Sequence, residues 1–161
     1  MLIKKKYYQK KIISVNKKAK HNFFIKKIFT AGISLKGWEV KSIRKGKINI
    51  SNSYVLLRSC ELFLFNCEIQ PLKTTNVSFS FINNFNRNRK LLLLRKEIDF
   101  ISSEMKKFRY TVIPISIFWK KSFCKLKIGL AIGKKLYDKR KEKKNKVLKR
   151  ELSRISKKFK I

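Results

Sequence analysis

The chain has 161 residues, 43 of them basic against 9 acidic, for a net charge of +34. That length fits one compact domain with tails, burying roughly 70% of the surface the unfolded chain would expose, and leaves no room for two cores. Self-repulsion on this scale calls for a polyanion, RNA, DNA or an anionic membrane, while 43% hydrophobic residues with 13 Phe exclude a wholly disordered chain.

Residues 1–15 read as a basic arm without a period. The arm carries charge but no apolar stretch of signal-peptide length, and no later run approaches the ~18 apolar residues of a membrane span, so a reducing cytoplasm is expected. From Phe23 to Leu35 the composition predicts a strand that bends or bulges at Gly32. GWEVKSIRKGK, residues 37–47, predicts a short helix closed by Gly46. SYVLLR and ELFLFNCEI predict a hairpin turning at Ser59 and Cys60, and the Asn-rich stretch 73–88 predicts a loop.

Leu91, Leu94, Ile98, Ile101, Met105 and Phe108 fall at spacings of 3, 4, 3, 4 and 3, which predicts a helix of about 27 Å with Arg89, Lys90, Arg95 and Lys96 in its first turns. Two strands follow, TVIPISIFW and FCKLKIGLA. The second alternates Cys124, Leu126, Ile128 and Leu130 against Lys125 and Lys127, which places the two lysines on a wet face. Pro114 cannot donate to a ladder, so its strand is expected at an edge or to begin near there. Short strands without a βαβ rhythm make the fold class mainly β with helices, a small partly open OB-like barrel.

From Lys134 onward 14 of 28 residues are basic and 3 acidic, a tail expected to be disordered or inducibly helical. Leu148, Leu152, Ile155 and Phe159 would line one face of that helix once its lysines are neutralised. The expected organisation is thus an arm at 1–15, a barrel at 16–133 and a tail at 134–161.

Catalytic chemistry is missing from the pattern. Neither phosphate-binding glycine motif occurs, nor a nucleophile elbow. His21 is the single histidine, and three cysteines without a C-x-x-C spacing support neither a zinc site nor a disulfide framework. No enzyme activity, metal or cofactor is expected. A general RNA-binding or ribosome-associated protein would satisfy the charge and the barrel pattern, and an amphipathic tail at a membrane surface is a weaker alternative.

NKKAKHNFFIKKIFTAGISLKGWEVKSIRKGKINISNSYVLL, RNRKLLLLRKEID and KLKIGLAIGKKLYDKR, in that order and spacing, closely resemble the small protein B family of SsrA-binding proteins over about Asn16 to Arg140. The resemblance implies an OB-like barrel that grips the elbow of the tRNA-like domain of transfer-messenger RNA (tmRNA) and stands in for the missing anticodon arm. The complex enters stalled ribosomes for trans-translation, which tags the nascent peptide for degradation and releases the ribosome. Implied partners are this RNA and the small ribosomal subunit, with no membrane and one monomer per RNA.

Carried over by position, the RNA-binding residues are Lys17, Lys18, Lys20 and His21, Lys41 and Arg44 on the short helix, Arg89, Lys90 and Leu92 at the start of the long helix, and Lys125 and Lys127 on the last strand. Leu92 lies off the apolar stripe and is expected to face outward. Gly133, Lys134, Lys135, Tyr137, Asp138, Lys139 and Arg140 match the pattern that lies near the decoding centre, with Asp138 orienting Lys139 or Arg140 and Ile155 in the part that turns helical in the mRNA channel. The chain departs from the family pattern at Lys26 and Lys27, at Thr30, where an acid is usual, at Ile132, and before Arg87.

Overall fold

The computed structural model describes residues 11–72 and 87–158. Its elements in chain order are β1 (Lys11–Val15), α1 (Lys17–Asn22), β2 (Phe23–Ile33), α2 (Gly37–Arg44), β3 (Ile48–Asn49), β4 (Tyr54–Arg58), β5 (Glu61–Phe65), β6 (Glu68–Ile69), β7 (Arg89–Leu92), α3 (Arg95–Phe108), β8 (Thr111–Lys120), β9 (Phe123–Gly133) and α4 (Leu136–Lys158). The loop expected at 73–88 lies outside the described residues except for Arg87 and Asn88.

The main sheet runs β1-β8-β4-β5-β7-β2-β9, and β9 pairs back onto β8. Every pairing is antiparallel, and the circle from β8 through β4, β5, β7, β2 and β9 is completed at β4 and β8 by the single pair Val55–Val112. The sheet is therefore partly closed, as expected of an OB-like fold. Inside it lie Val55, Leu62, Leu64, Leu91, Val112, Ile117, Leu126 and Ile128, none more than 2% exposed. Each such side chain contributes on the order of 1.5–3 kcal/mol of burial free energy. Ile43 from α2 and Ile101 from α3 join the same cluster.

Several local expectations hold for stated reasons. Ser59 and Cys60 both have positive φ, 46° and 58°, the geometry a two-residue hairpin needs to follow strand twist. Helix α2 starts where the Lys36 N–H donates to Glu39 Oε2 at 2.7 Å and stops at Gly46, whose φ is +74°. Along β9, Cys124, Leu126, Ile128 and Leu130 are buried while Lys125 and Lys127 stay half-buried.

Other expectations are corrected. Residues 11–15 are not part of an arm: they form β1 against Ser116–Trp119 of β8. Asn16 fastens that end, its N–H donating to Ile115 O and its Nδ2 to Pro114 O, while its Oδ1 accepts from Ala19 and caps α1. The bulge in β2 falls between Ile25 and Lys27, not at Gly32. Of the two alternatives for Pro114, the edge is ruled out and the other holds: strand β8 is flanked on both sides but begins near the proline, at Thr111. Pro114 fits because it sits between the stretches that pair with β4 and β1, beside a register shift against β9. The long helix is also shorter than its stripe, 14 residues or about 21 Å. Arg89–Leu92 is a strand, and Leu94 donates its N–H to Glu97 Oε2 as the helix begins. In a strand followed by a helix, Leu91 and Leu94 can fall in phase with the helical positions by coincidence.

Of the two states expected for the tail, the structure shows the helix. Leu148, Leu152 and Ile155 are exposed along α4, and Phe159 lies outside the described residues.

Candidate nucleic-acid interface

Strand β2 is paired on both sides by the strands that carry the candidate residues. Gly32 stands opposite Leu92 of β7 on one side and Lys125 of β9 on the other, and Thr30 stands opposite Lys127. Residues in register share a face, so these side chains project together from the outside of the sheet. A Cβ on Gly32 would lie 3.2 Å from Leu92 Cβ and 3.6 Å from Lys125 Nζ. The missing side chain lets an exposed leucine and a lysine approach across the strand. Leu92 is 55% exposed, as its place off the stripe implied, although a strand and not a helix presents it.

An open cleft of about 670 Å³ runs beside this face, lined by Thr30, Glu61, Lys90, Leu92, Arg95 and Lys125 among others. Lys125 Nζ lies 6.0 Å from the Phe123 ring centre and Lys127 Nζ 5.7 Å from that of Phe118, both within cation–π range. Lysines held over rings, next to exposed apolar carbon, can meet phosphates and unstacked bases in one surface.

Arg89 is the candidate that the fold removes from the surface. Its side chain is fully buried, its Nε donates to Glu39 Oε1 at 2.9 Å and its Nη1 to Cys67 O at 2.6 Å. Arg87 spans both oxygens of Glu39, its Nε donating to Oε1 at 2.9 Å and its Nη2 to Oε2, and also donates to Ser34 O at 3.2 Å. Alternation along β7 explains the difference: Arg89 and Leu91 point inward, Lys90 and Leu92 outward. Burial raises the Glu39 carboxyl, but the hydrogen bonds from Arg87 and the Lys36 N–H and the charges of Arg89 and Arg87 outweigh it and hold the group below the usual carboxylate range. Arg89 is thus a positioning residue that ties α2 to β7.

The remaining candidates are spread over neighbouring elements. Lys17, Lys18, Lys20 and His21 are exposed on α1, with Lys18 Nζ donating to Asn52 Oδ1 at 3.0 Å. Lys41 and Arg44 are exposed on α2, and Arg44 lies 5.8 Å from the Trp119 ring centre.

At the root of the tail, Lys134 is engaged inside the chain, 5% exposed in its side chain, donating to Lys20 O and Glu142 Oε2 and lying 4.8 Å from the Phe24 ring centre. Asp138 does not orient its basic neighbours: Oδ2 accepts the Lys135 N–H at 3.1 Å and caps α4, where a helix N-terminus favours an acid. Lys139 instead donates to Asn22 Oδ1 at 3.0 Å. Lys135, Tyr137 and Arg140 are exposed along the first turns, Gly133 ends β9, and Ile155 is exposed far along α4.

Among the described residues no cluster of His, Cys, Asp and Glu could hold a metal. Burial pushes the Cys67 thiol up to about 11 and the Cys124 thiol to about 12, so both are unreactive packing groups, while Cys60 is exposed. No described helix is long and apolar enough to cross a membrane.

Sequence reasoning overlooked Glu39, Asn16 and Glu61. An acid three residues after a helix start was a legible signal for Glu39, since it matches half of a capping box. Its pairing with Arg89, 50 positions away, left no local trace.

A family model described as SmpB protein matches residues 13–158. The chain is 48% identical to the SsrA-binding protein of Buchnera aphidicola subsp. Acyrthosiphon pisum (strain Tuc7), over 99% of this chain and 98% of that one. It is also 48% identical to the SsrA-binding protein of Buchnera aphidicola subsp. Baizongia pistaciae (strain Bp), over 82% of each. A solved structure described as "tmRNA-SmpB: a journey to the center of the bacterial ribosome" superposes with a TM-score of 0.61 at 33% identity, covering 76% of this chain and 85% of the other. With a match over most of its length in the family model, in its relatives and in that structure, the chain belongs to the SmpB family of SsrA-binding proteins.

Proposed function

We propose that this protein binds transfer-messenger RNA through the outer face of β7, β2 and β9 and delivers it to stalled ribosomes for trans-translation. The observation that carries the reading is the approach of Leu92 and Lys125 over Gly32, with Lys90 lining the same cleft, on one exposed face of a chain that belongs to the SsrA-binding family. Lysines neutralise phosphates without sequence preference, whereas an apolar side chain standing among them favours RNA with unstacked bases. A folded tRNA-like elbow offers such bases; a regular hairpin stem does not.

Lys17, Lys18, Lys20, His21, Lys41, Arg44 and Lys127 extend the positive surface around that centre. Helix α4 supplies the ribosomal part, its capped first turns carrying Lys135, Tyr137 and Arg140 toward the decoding site and Ile155 into the mRNA channel. The protein acts by positioning RNA and makes or breaks no bond.

The test is a titration of the tRNA-like domain of transfer-messenger RNA at several salt concentrations, against an ordinary tRNA and a plain hairpin as competitors. The expected result is tight binding that resists both competitors and outlasts moderate salt. Equal affinities that collapse together with salt would reduce the activity to general RNA binding.

A further inference from the structure

Glu61 is an acid standing in the cleft of a chain that carries 43 basic residues and only 9 acidic ones. Four of the other eight carboxylates have evident structural work. Glu39 is buried between two arginines, Glu97 caps α3, Asp138 caps α4 and Glu142 pairs with Lys134. Glu61 begins β5 at the mouth of the cleft, and its Oε1 accepts from Lys90 with both side chains nearly half exposed. An ion pair so exposed adds little to stability. Its second oxygen, Oε2, has no partner among the described residues.

A carboxylate at this point repels phosphate and cannot donate a hydrogen bond. What it can accept from RNA is an N–H or O–H, from a base amino group or a 2′-hydroxyl. Lys125 and Arg95 line the same cleft and attract the backbone, and Leu92 offers an apolar surface for a base. We propose that Glu61 is a specificity-determining residue of this cleft, turning away phosphate and admitting a hydrogen-bond donor of an unstacked nucleotide. The inference rests on the RNA-binding reading of the face and adds to it the acceptor that discriminates among RNAs.

The test compares wild type, E61Q and E68Q for binding to the tRNA-like domain, an ordinary tRNA and a plain hairpin. Glu68 is an exposed acid on β6 that does not line the cleft, so E68Q reports the loss of one negative charge alone. Removing a nearby repulsive charge should tighten hairpin binding by E61Q about fivefold, while binding to the tRNA-like domain stays level or falls. Preference for the tRNA-like domain then drops by fivefold or more in E61Q and holds in E68Q. The same tightening of all three RNAs by E61Q, or a preference equal to wild type, would overturn the proposal. Absence of any preference in the wild type would overturn the RNA reading itself, and the Glu61 role with it. Repeating the titration with 2′-deoxy nucleotides at the elbow separates the two donors: affinity lost in wild type but not in E61Q identifies a 2′-hydroxyl, and affinity retained by wild type identifies a base amino group. Unchanged thermal melting of E61Q shows that the comparison is between folded proteins.

Discussion

Glu39 on α2 and Arg89 on β7, 50 residues apart, form an ion pair in which neither side chain reaches solvent, with Oε1 accepting from Nε at 2.9 Å. Charges withdrawn from water are tolerated here because Glu39 also takes the Lys36 N–H and Arg87, and Arg89 also donates to the Cys67 and Arg87 carbonyls. Removing one partner leaves the other buried and uncompensated. E39A should therefore cost about 3–5 kcal/mol, which a thermal melt would register as a loss on the order of 10 °C for a domain of this size. A melting temperature within a degree or two of wild type would show that water reaches the site and solvates Arg89.

The same pair sets a pH dependence. The folded-state pKa of Glu39 lies below the usual carboxylate value near 4.5, so its contribution to stability is present above that value and is lost as pH falls through the lower, folded one. Urea unfolding midpoints should be level from pH 7 to about 5 and decline at more acid pH. E39Q should show a lower midpoint throughout and a weaker acid decline.

Two glycines separate binding from folding. A methyl on Gly32 meets Leu92 Cβ at 3.2 Å on the exposed face, whereas a methyl on Gly129 meets Ile115 Cδ1 at 2.9 Å and Ile25 Cγ2 at 3.1 Å beneath α1. G32A should leave the fold in place and weaken binding to the tRNA-like domain about fivefold, while G129A should lose about 1–3 kcal/mol of stability and bind normally once folded. Melting curves and RNA titrations on the two variants give the comparison directly.

The three thiols should report on the cleft. Cys60 is exposed at the hairpin turn and lines the cleft, while Cys67 and Cys124 are buried with raised pKa values. Thiol titration of the folded protein at neutral pH should find one fast group, and the other two only on unfolding. Saturating tRNA-like domain should slow the alkylation of Cys60. Unprotected Cys60 in the complex would move the RNA away from this end of the face.

Truncation after Leu136 should spare RNA binding and abolish peptide tagging, because the strands that form the exposed face end at Gly133 while α4 begins at Leu136. Equal loss of both activities would refute that division and assign RNA contacts to the first turns of α4.

Much of this molecule was legible along the chain. Net charge called for a polyanion, the alternation of β9 placed Lys125 and Lys127 outward, the hairpin turn fell at Ser59 and Cys60, and Leu92 faces out as its position off the stripe implied. These properties depend on periods of two to four residues or on composition, which a linear reading captures. What the tertiary structure alone decided is the sorting of the basic residues. Arg89 and Lys90 are adjacent and chemically alike, yet one is buried against Glu39 and the other stands in the cleft, because a strand replaced the helix that the leucine spacing suggested. Strand β1, the placement of Pro114 between two pairing partners and the approach of Leu92 and Lys125 over Gly32 likewise depend on residues far apart in sequence. Local pattern states which face a side chain prefers, whereas which charges are buried and which remain for RNA depends on partners that only folding brings within reach.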